Sequence, residues 1–312
     1  MIEIENAREF PTRARGAYAT IGNFDGVHLG HQRILGRLRA LADQAGAPAL
    51  ALTFHPHPAM LLRPDQAPTP LVWPEREASL LKEAGATEVG VFKTGPWLLS
   101  MSAREFFTAI VRQLLSARGL VEGPNFAFGH DRQGDVASLR TWCAEVGMDF
   151  ETVDAIHVGD ELVSSSRIRA SIQAGRVREA ATLLGRAHRL RGVVVRGAGR
   201  GAGLGFPTAN LDRIDVLAPG DGVYAALAFI KGEPKPWPAA CNLGPNPTFG
   251  ESARKLEAHL IGFHGDLVGQ TVELDFLDQI RPTRKFPDLQ ALLGQIAADV
   301  ETVMAIVKAS KP

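Results

Sequence analysis

The sequence is poor in cysteine and in net charge. Its 312 residues include two cysteines, Cys143 and Cys241, which lie far apart and have no paired spacing. We therefore expect two buried thiols, and neither a disulfide framework nor a zinc site. Basic and acidic residues number 34 each, so that no global field draws the chain onto nucleic acid or an anionic membrane.

Segments for export or membrane insertion are also missing. The opening MIEIENAREF has no basic start followed by an apolar core, and no uninterrupted apolar run is long enough to span a bilayer. We therefore expect a cytoplasmic protein that binds small molecules rather than nucleic acid or membrane. With 45% hydrophobic residues the chain can bury sizeable cores, and its length predicts two domains.

The stretch 18–35, YATIGNFDGVHLGHQRIL, predicts a strand, a glycine loop and a helix. A helix that begins just after a strand presents unpaired backbone N–H groups and the positive end of its dipole, which favours a phosphate. His28 and His31 lie at that point and can donate hydrogen bonds to phosphoryl oxygens. A histidine pair at this spacing is also compatible with a surface feature or with half a metal site.

Two further apolar runs, at 49–54 and 88–92, have the length of buried parallel strands. Amphipathic helices are predicted at 73–84 and 102–115, and the second begins with an S-x-x-E capping box. Strands that alternate with helices in this way predict a doubly wound, Rossmann-like sheet.

Two segments that follow strands are candidate binding loops. His57 and Pro58 belong to the segment TFHPHP, in which the chain leaves the predicted strand at 49–54 and the prolines restrict the backbone. This segment either borders a flat aromatic ligand or simply ends the strand. The segment 123–135, GPNFAFGHDRQGD, is rich in glycine and contains two phenylalanines. Such a segment makes a poor core, and it is either a binding loop or a long turn.

The segment 162–175, LVSSSRIRASIQAG, predicts another helix, with Ser166 as its N-cap and Gly175 as its stop. Arg167 and Arg169 would lie in the first turn, where the helix dipole disfavours cations. We therefore expect an anion nearby, and a triphosphate would supply it.

After the basic segment 183–191 the pattern changes. Short β-type runs (RGVVV, GVYAALAFI, AACNL, KLEAHLI and QTVELDF) alternate with glycine and proline, which indicates a small antiparallel barrel. We place the boundary near Gly185, which gives domains 1–184 and 185–312. The tail 286–308 carries Leu289, Leu292, Ile296, Val300, Val303 and Val307 at helical spacing, and this stripe is predicted to pack on the barrel.

The segment 196–211, RGAGRGAGLGFPTANL, combines glycines suited to phosphate binding with a polar tetrad. Thr208 and Asn210 are two apart on an extended segment, so both oxygens face one way, as ligands of a magnesium ion would. In KLEAHLIGF, Glu257 and His259 share one face of a strand. That face is either the ligand side or merely solvated.

Taken together, these motifs resemble the bifunctional riboflavin kinase/FAD synthetases over essentially the whole chain. GNFDGVHLGHQ is similar to the H-x-G-H adenylyltransferase signature, the segment 123–135 to the second synthetase signature, and SSSRIR to I-S-S-T-x-I-R. GFPTANL, CNLGPNPTFG and KLEAHLIGF are similar to the kinase signatures. One departure is that related kinases commonly read G-R-T-I-G-F before P-T-A-N, whereas an arginine is missing here in 201–205.

The resemblance implies an α/β plus β fold, in which a doubly wound Rossmann-like nucleotidyltransferase domain precedes a small antiparallel β-barrel riboflavin kinase domain with a C-terminal helix. It also implies that the protein phosphorylates riboflavin to FMN with ATP and then adenylylates FMN with a second ATP, giving FAD and pyrophosphate. The implied catalytic residues are Glu257, His28 and His31, with Mg²⁺ on Thr208 and Asn210. In the synthetase, the residues implied to bind ATP are Gly22, Asn23, Phe24, Asp25, His28, His31, Asn125, Ser164, Ser165, Ser166 and Arg167. The residues implied to bind its flavin are His57, Pro58, Phe126 and Phe128. In the kinase, the residues implied to bind ATP are Gly197, Gly199, Gly201, Gly203, Gly205, Pro207, Thr208 and Asn210.

Two alternatives remain at this point. One is an enzyme with a single working activity, whose barrel merely binds flavin. The other is a non-catalytic, flavin-binding regulator of nucleic acid, but the sequence lacks a basic helix-turn-helix or a basic patch with interleaved aromatic residues. The expected partners are ATP, riboflavin and FMN, and we also allow for a weak homo-oligomer.

Overall fold

The computed structural model describes residues 1–6, 10–197, 199–246 and 251–310. The chain forms two compact units, the first made of Met1–Thr69 and Trp73–Ser164 and the second of Pro70–Val72 and Ser165–Pro312. This division falls ahead of the boundary proposed near Gly185. The reason is that the helices at 165–184 pack within the second unit, where Arg178 pairs with Asp278 at 2.5 Å.

The first unit contains a six-stranded parallel sheet in the order β1-β4-β3-β2-β5-β8. Its strands are β1 Ile2–Ile4, β2 Tyr18–Ile21, β3 Ala49–His55, β4 Glu88–Lys93, β5 Gly119–Glu122 and β8 Asp149–Thr152, with the short pairs β6 Ala127–Phe128 with β7 Gly134–Asp135, and β9 His157–Val158 with β10 Glu161–Leu162. Its helices are α1 Leu29–Gln44, α2 Pro58–Leu62, α3 Pro74–Glu83, α4 Pro96–Leu99, α5 Ala103–Glu105 and α6 Val136–Glu145, with a π-helix at Phe106–Leu114 and 3-10 turns at Thr12–Ala14, Pro64–Gln66 and His130–Arg132.

The central strands are buried because they are apolar on both faces. All four residues of β2 and the first five of β3 are buried, as expected for strands covered by helices on both sides of a sheet. The predicted Rossmann-like arrangement is therefore confirmed. The loops that follow β2, β3 and β5 leave from the same edge of the sheet, where ligands bind in folds of this kind.

The helix predicted at 102–115 differs from expectation in one respect. Its capping box is present, because the Ser102 hydroxyl accepts from the Glu105 N–H at 3.2 Å and the Glu105 carboxylate accepts from the Ser102 N–H at 2.8 Å. Beyond Glu105 the chain continues as a π-helix, and the N–H of Leu115 donates to the carbonyl of Ile110 at 3.0 Å, five residues back. The wider turn keeps Phe106, Phe107, Ile110, Val111 and Leu114 buried together.

The second unit is built around a closed barrel in the order β11-β12-β15-β14-β13-β16, and each paired set of strands is antiparallel. The strands are β11 His188–Val195, β12 Ala209–Asp212, β13 Gly222–Ile230, β14 Trp237–Asn246, β15 Glu251–Leu260 and β16 Thr271–Arg281, and the helices are α7 Ser165–Gln173, α8 Val177–Leu184, α9 Arg200–Gly203 and α10 Leu289–Ala309. Each of the five β-type runs lies on a barrel strand, which confirms the predicted barrel.

One helix start was predicted wrongly. Helix α7 begins at Ser165, so Ser166 lies in its first turn and is not its N-cap. The extended chain persists up to this point, because the N–H of Val163 donates to the carbonyl of Ile156 at 2.9 Å. The helix ends at Gln173, and Gly175 has the positive φ of 77° expected of a glycine that follows a helix.

Helix α10 packs on the barrel through part of the predicted stripe. Val303 and Val307 are buried against Ala225 of β13, whereas Leu289 is 46% exposed and does not join this contact. In length and composition α10 also resembles a membrane-spanning helix, the one such helix in the described residues. Its Asp299, however, is buried and pairs with Arg281 of β16 at 2.8 Å, which ties the middle of the helix to the barrel.

Both cysteines are free and buried, as the sequence predicts. Burial raises the pKa of the Cys143 thiol to about 12, and it raises the pKa of Cys241 as well. Both side chains therefore stay protonated near neutral pH and act as packing groups rather than nucleophiles.

Candidate active sites

The first unit has a cavity of about 760 Å³ at the carboxyl edge of its sheet. The loops that follow β2, β3 and β5 line it, together with the segment 153–164. The predicted residues that line it are Gly22, Asn23, Phe24, His28, His31, His57, Pro58, Asn125, Phe126, Phe128 and Ser164. Asp25 is not among the lining residues. Ser165, Ser166 and Arg167 open α7 and belong to the second unit.

The two histidines of this cavity are held in a fixed arrangement. His28 is the N-cap of α1, and its Nδ1 accepts from the backbone N–H of His31 at 3.4 Å. The two imidazoles stack with centroids 3.7 Å apart, and Phe24 meets His31 edge-on at 5.2 Å. Because Nδ1 of His28 is an acceptor, its neutral ring carries the proton on Nε2, which makes that atom a hydrogen-bond donor.

Another part of the lining of this cavity is aromatic. Phe126 and Phe128 stack with centroids 5.4 Å apart and an angle of 15° between the rings, and Phe106 lies 5.7 Å from Phe128. Phe54 lines the same cavity. Flat rings in this arrangement suit a planar, largely apolar ligand, while the histidine side suits an anion.

The loop between β6 and β7 presents an arginine to the cavity. Asp131 and Arg132 have φ of 51° and 59°, a left-handed conformation that costs roughly 1–2 kcal/mol for a residue other than glycine. His130 fixes the loop, since its N–H donates to the carbonyl of Met101 at 2.7 Å. Gly129 packs so closely that a Cβ there would lie 2.5 Å from the N atom of Ala103. Arg132 lies inside the predicted loop, but its sequence pattern does not distinguish it as a site residue.

Glu122 is a second lining residue that the sequence analysis missed. It ends β5, is 2% exposed and accepts from the N–H of Ile21 at 2.8 Å and from the hydroxyl of Thr20 at 3.4 Å. Burial raises the pKa of Glu122 well above its ordinary value, against the lowering effect of these two hydrogen bonds. The signal in the sequence was an acidic residue at the end of an apolar strand, directly before the glycine loop.

The second unit has a cavity of about 710 Å³ on its barrel. The predicted residues that line it are Gly197, Gly199, Gly201, Thr208, Asn210 and Glu257, whereas Gly203, Gly205 and Pro207 are not among the lining residues. The glycine-rich segment contains a short helical turn, α9, which the sequence did not predict. The part of CNLGPNPTFG at 247–250 lies outside the described residues.

Strand register brings three polar residues of this cavity into one row. Glu257 on β15 lies opposite Asn210 on β12 and opposite Asn242 on β14. Directly paired residues point to the same face of a sheet, so the carboxylate lies between two carboxamides. The alternation predicted for β15 is confirmed, because Leu256, Ala258 and Leu260 are buried while Glu257 is only half-buried.

The PTAN segment is held close to this row. His259 Nδ1 donates to the carbonyl of Pro207 at 2.7 Å, and Phe206 meets the His259 ring edge-on at 5.6 Å. A Cβ at Gly197 would lie 2.1 Å from the carboxamide nitrogen of Asn210, so only glycine allows this approach of the backbone. The glycine segment is therefore packed directly onto the predicted metal ligand.

The C-terminal segment adds apolar side chains to this cavity. Phe286, Leu292 and Ile296 line it, and the Arg281 and Arg284 guanidinium groups lie 5.5 Å and 4.9 Å from the centre of the Phe286 ring. These side chains were not predicted as flavin-binding residues, because the apolar stripe of the tail is typical of a helix that packs on the barrel.

Comparison with known proteins covers both units. The model of the FAD synthetase family matches residues 10–167, and that of the riboflavin kinase family matches residues 184–307. A bifunctional riboflavin kinase/FMN adenylyltransferase from Pseudomonas fluorescens is 36% identical over 297 residues, which cover 95% of this chain and 94% of that protein. Proteins of the same name from Escherichia coli (strain K12) and Bacillus subtilis (strain 168) are 31% and 32% identical, over 99% and 89% of this chain and 98% and 89% of theirs.

A solved structure shares the complete fold. The crystal structure described as a macrolide-efflux protein from Streptococcus pneumoniae is similar with a TM-score of 0.88 at 30% sequence identity, and the match covers 97% of this chain and 98% of that one. The relatives that match along the chain, and both family models, carry the two activities expected from the motifs. This chain therefore belongs to the family of bifunctional riboflavin kinase/FMN adenylyltransferases, and it converts riboflavin to FMN and FMN to FAD.

Proposed function

We propose that the barrel cavity is the riboflavin kinase site and that the cavity of the first unit is the FMN adenylyltransferase site. The observation that carries this assignment is the row Asn210–Glu257–Asn242, which places a carboxylate beside a candidate metal ligand in a cavity that also has apolar side chains. The functional boundary is proposed near Gly185, because the two family matches end at 167 and begin at 184.

In the kinase site Glu257 is proposed as the general base. It would accept the proton of the ribityl 5′-hydroxyl as that oxygen forms a bond to the γ-phosphorus of ATP and the bond to the β-phosphate oxygen breaks, releasing ADP. Asn210 and Asn242 flank the carboxylate on both sides and would fix its orientation. The apolar side chains of Phe286, Leu292 and Ile296 would hold the flavin ring.

The residues of the barrel cavity fit a magnesium ion. Magnesium usually takes one or two oxygen ligands from the protein and the rest from phosphates and water. Thr208 and Asn210 supply hard oxygens in the cavity, and the described residues hold no cluster of three or more histidine, cysteine, aspartate or glutamate side chains that would suit another metal. The ion, when bound, would neutralise developing charge on the phosphates.

In the adenylyltransferase site the chain's contribution is proposed to be placement and charge stabilisation. A phosphate oxygen of FMN bonds to the α-phosphorus of ATP while pyrophosphate leaves, and the FMN phosphate is already an anion that needs no base. His28, His31 and Ser164 would donate hydrogen bonds to the ATP phosphates. Phe126 and Phe128 would pack on the flavin, and Arg132 is proposed to bind the FMN phosphate because its loop adjoins these rings.

The experiment is chromatography of riboflavin incubated with the protein, ATP and Mg²⁺. We expect separate FMN and FAD peaks, and EDTA should remove the FMN peak if magnesium serves the kinase. Supplying FMN in place of riboflavin reports the second activity alone. A sample that forms FAD from FMN but no FMN from riboflavin would contradict the assignment of the barrel cavity.

We further propose that the protein works in the cytoplasm on small molecules, without nucleic acid, and that its self-association is weak. The equal numbers of basic and acidic residues support the absence of a nucleic-acid partner. Light scattering over a range of protein concentrations, with and without ATP and FMN, tests the self-association.

A further inference from the structure

The end of β2 is held by a side chain from the neighbouring strand. Strand β2 pairs with β5 at Tyr18 and Ala19, whereas its pairing with β3 continues to Ile21. Continuing the β5 register would place Ile21 opposite Glu122. At that position the N–H of Ile21 donates to Oε1 of Glu122 at 2.8 Å, so a carboxyl group replaces the backbone acceptor of a parallel ladder.

The other side of this strand end is held by backbone. The N–H of Gly22 donates to the carbonyl of Leu52 on β3 at 2.9 Å. The last residue of β2 and the first residue of the loop are therefore fixed from opposite directions. The loop leads directly to His28 at the start of α1, so a shift of the strand end would move both stacked histidines.

The surroundings of this carboxyl group favour its uncharged form. Glu122 is buried, its hydrogen-bond partners Ile21 and Thr20 are neutral, and no ion pair with Glu122 is found among the described residues. A carboxylate in such surroundings is strongly disfavoured and takes up a proton instead. The raised pKa of Glu122 agrees with this reasoning. A neutral acceptor also adds no negative charge to a cavity that receives two polyanions.

We propose that Glu122 is a positioning residue for adenylyl transfer, whose uncharged side chain holds Ile21 and so sets the loop that presents His28 and His31 to the phosphates of ATP. The inference rests on the proposed function of the first cavity. It concerns a residue that touches neither reacting phosphorus nor nucleophile and acts through the backbone of β2.

Three variants test the role. In E122Q the amide oxygen still accepts from Ile21, so we expect kcat and KM for ATP within about threefold of the parent. E122M keeps the length of the side chain but has no acceptor, and the orphaned N–H should lower kcat/KM about ten- to hundredfold, mainly through a higher KM for ATP. E151Q, on the adjacent strand β8, alters an exposed acid that pairs with Arg37 and should change neither constant.

The kinase activity of the same samples is the internal control, and we expect it to be unchanged in all three variants. Amide hydrogen exchange provides a readout that does not depend on activity: the Ile21 amide should exchange slowly in the parent and in E122Q and at least tenfold faster in E122M. If E122M fails to fold, E122Q alone still decides, because impairment of that variant by more than tenfold would overturn the proposal.

Two other results would also overturn it. One is parental adenylylation by folded E122M, and the other is equal protection of Ile21 in E122M and the parent. An H31A variant distinguishes the role of Glu122 from the assignment of this cavity as the adenylyltransferase site, on which that role depends. If H31A retains full adenylylation, the assignment of the cavity fails. If H31A is inactive while E122M is fully active, only the role of Glu122 fails.

Discussion

Glu257 faces its cavity from the middle of a barrel strand, with an asparagine opposite it on each neighbouring strand. We predict that E257Q lowers riboflavin phosphorylation by about 10²–10⁴-fold, since the amide cannot accept the hydroxyl proton. Adenylylation of supplied FMN should be unchanged. Separate assays of FMN formation and FAD formation on one preparation measure both effects.

The control for this variant is E301Q, at an exposed position of α10 in the same unit that is not among the lining residues of the cavity. It should leave FMN formation close to the parental rate. Normal phosphorylation by E257Q would show that this carboxylate is not the base.

Glu77 makes the stability of the protein depend on pH. It lies on α3 and accepts from the Thr53 hydroxyl at 2.7 Å. Burial raises its pKa from 4.5 to about 7, and Asp25 adds to the rise while the Thr53 hydrogen bond opposes it. Below pH 4.5 both folded and unfolded states are protonated and nothing is lost. As the pH rises towards 7 the unfolded state ionises first, and stability should fall by about 2–3 kcal/mol.

E77Q removes this titration and keeps an acceptor for Thr53. We expect its free energy of unfolding to equal that of the parent at pH 4 and to exceed it at pH 8, as measured by urea denaturation across that range. E83Q, an exposed position on the same helix that accepts from Ser79, is the matched control and should follow the parent. A parallel pH dependence of E77Q and parent would contradict the prediction.

Among single residues, the sequence predicts those whose role depends on neighbours a few positions away in the chain. His28 with His31 and Thr208 with Asn210 are recognised by short spacings that set a common direction on a helix start or a strand. Glu122 could not be identified in this way, because its role depends on where β2 and β5 stop pairing. Arg132 was missed for a similar reason, since two consecutive left-handed residues set its direction.

Among the elements, the start of the helical segment at Ala103 is stabilised by its capping box. Replacing Ser102 with alanine removes the acceptor for the Glu105 N–H and should destabilise the first unit by about 1 kcal/mol. Chemical denaturation monitored by tryptophan fluorescence measures the change. T141A, which removes an exposed mid-helix hydroxyl of α6, should have an effect close to zero. Equal losses in the two variants would show that the cap is not the cause.

The regular elements follow from apolar periodicity, and the irregular ones do not. Strand β2 at Tyr18–Ile21 and strand β13 at Gly222–Ile230 have the bounds that their apolar runs predict. The π-helix at Phe106–Leu114 has the composition of an amphipathic α-helix, and the sequence does not reveal its backbone hydrogen bonds to the residue five positions back. The pairs β6–β7 and β9–β10 are two residues long on each strand, too short for a periodic signal.

For the molecule as a whole, the described residues that line each cavity belong to a single unit. We therefore predict that E257Q and H31A complement each other in solution. Neither variant alone should convert riboflavin to FAD at an appreciable rate, whereas a mixture should, because FMN released by H31A is a substrate for E257Q. Chromatography of the mixture over time measures FAD.

The lag before FAD appears should shorten as the concentration of the mixed proteins rises, since free FMN connects the two steps. A mixture of H31A with the double variant E257Q/H31A is the control and should yield FMN only. Absence of FAD from the first mixture, despite normal single activities, would contradict transfer through solution.

The overall organisation could be predicted because two unlike patterns of periodicity divide the sequence. The alternation of strands and helices predicts the parallel sheet, and the closely spaced β-type runs predict the barrel. The place of division was harder to predict. Helices α7 and α8 have the amphipathic pattern of the first half, yet their contacts, such as Arg178 with Asp278, lie within the second unit. Composition alone does not reveal which surface a helix covers.

The closure of the six-stranded barrel has a consequence for handling the protein. A sheet that closes on itself leaves no row of unsatisfied amides along its rim, so a neighbouring chain has nothing to extend. The sheet of the first unit instead terminates at β1 and β8, of three and four residues. Heat-induced aggregation should therefore begin at the sheet of the first unit, and because both units belong to one chain, both activities should leave the supernatant together.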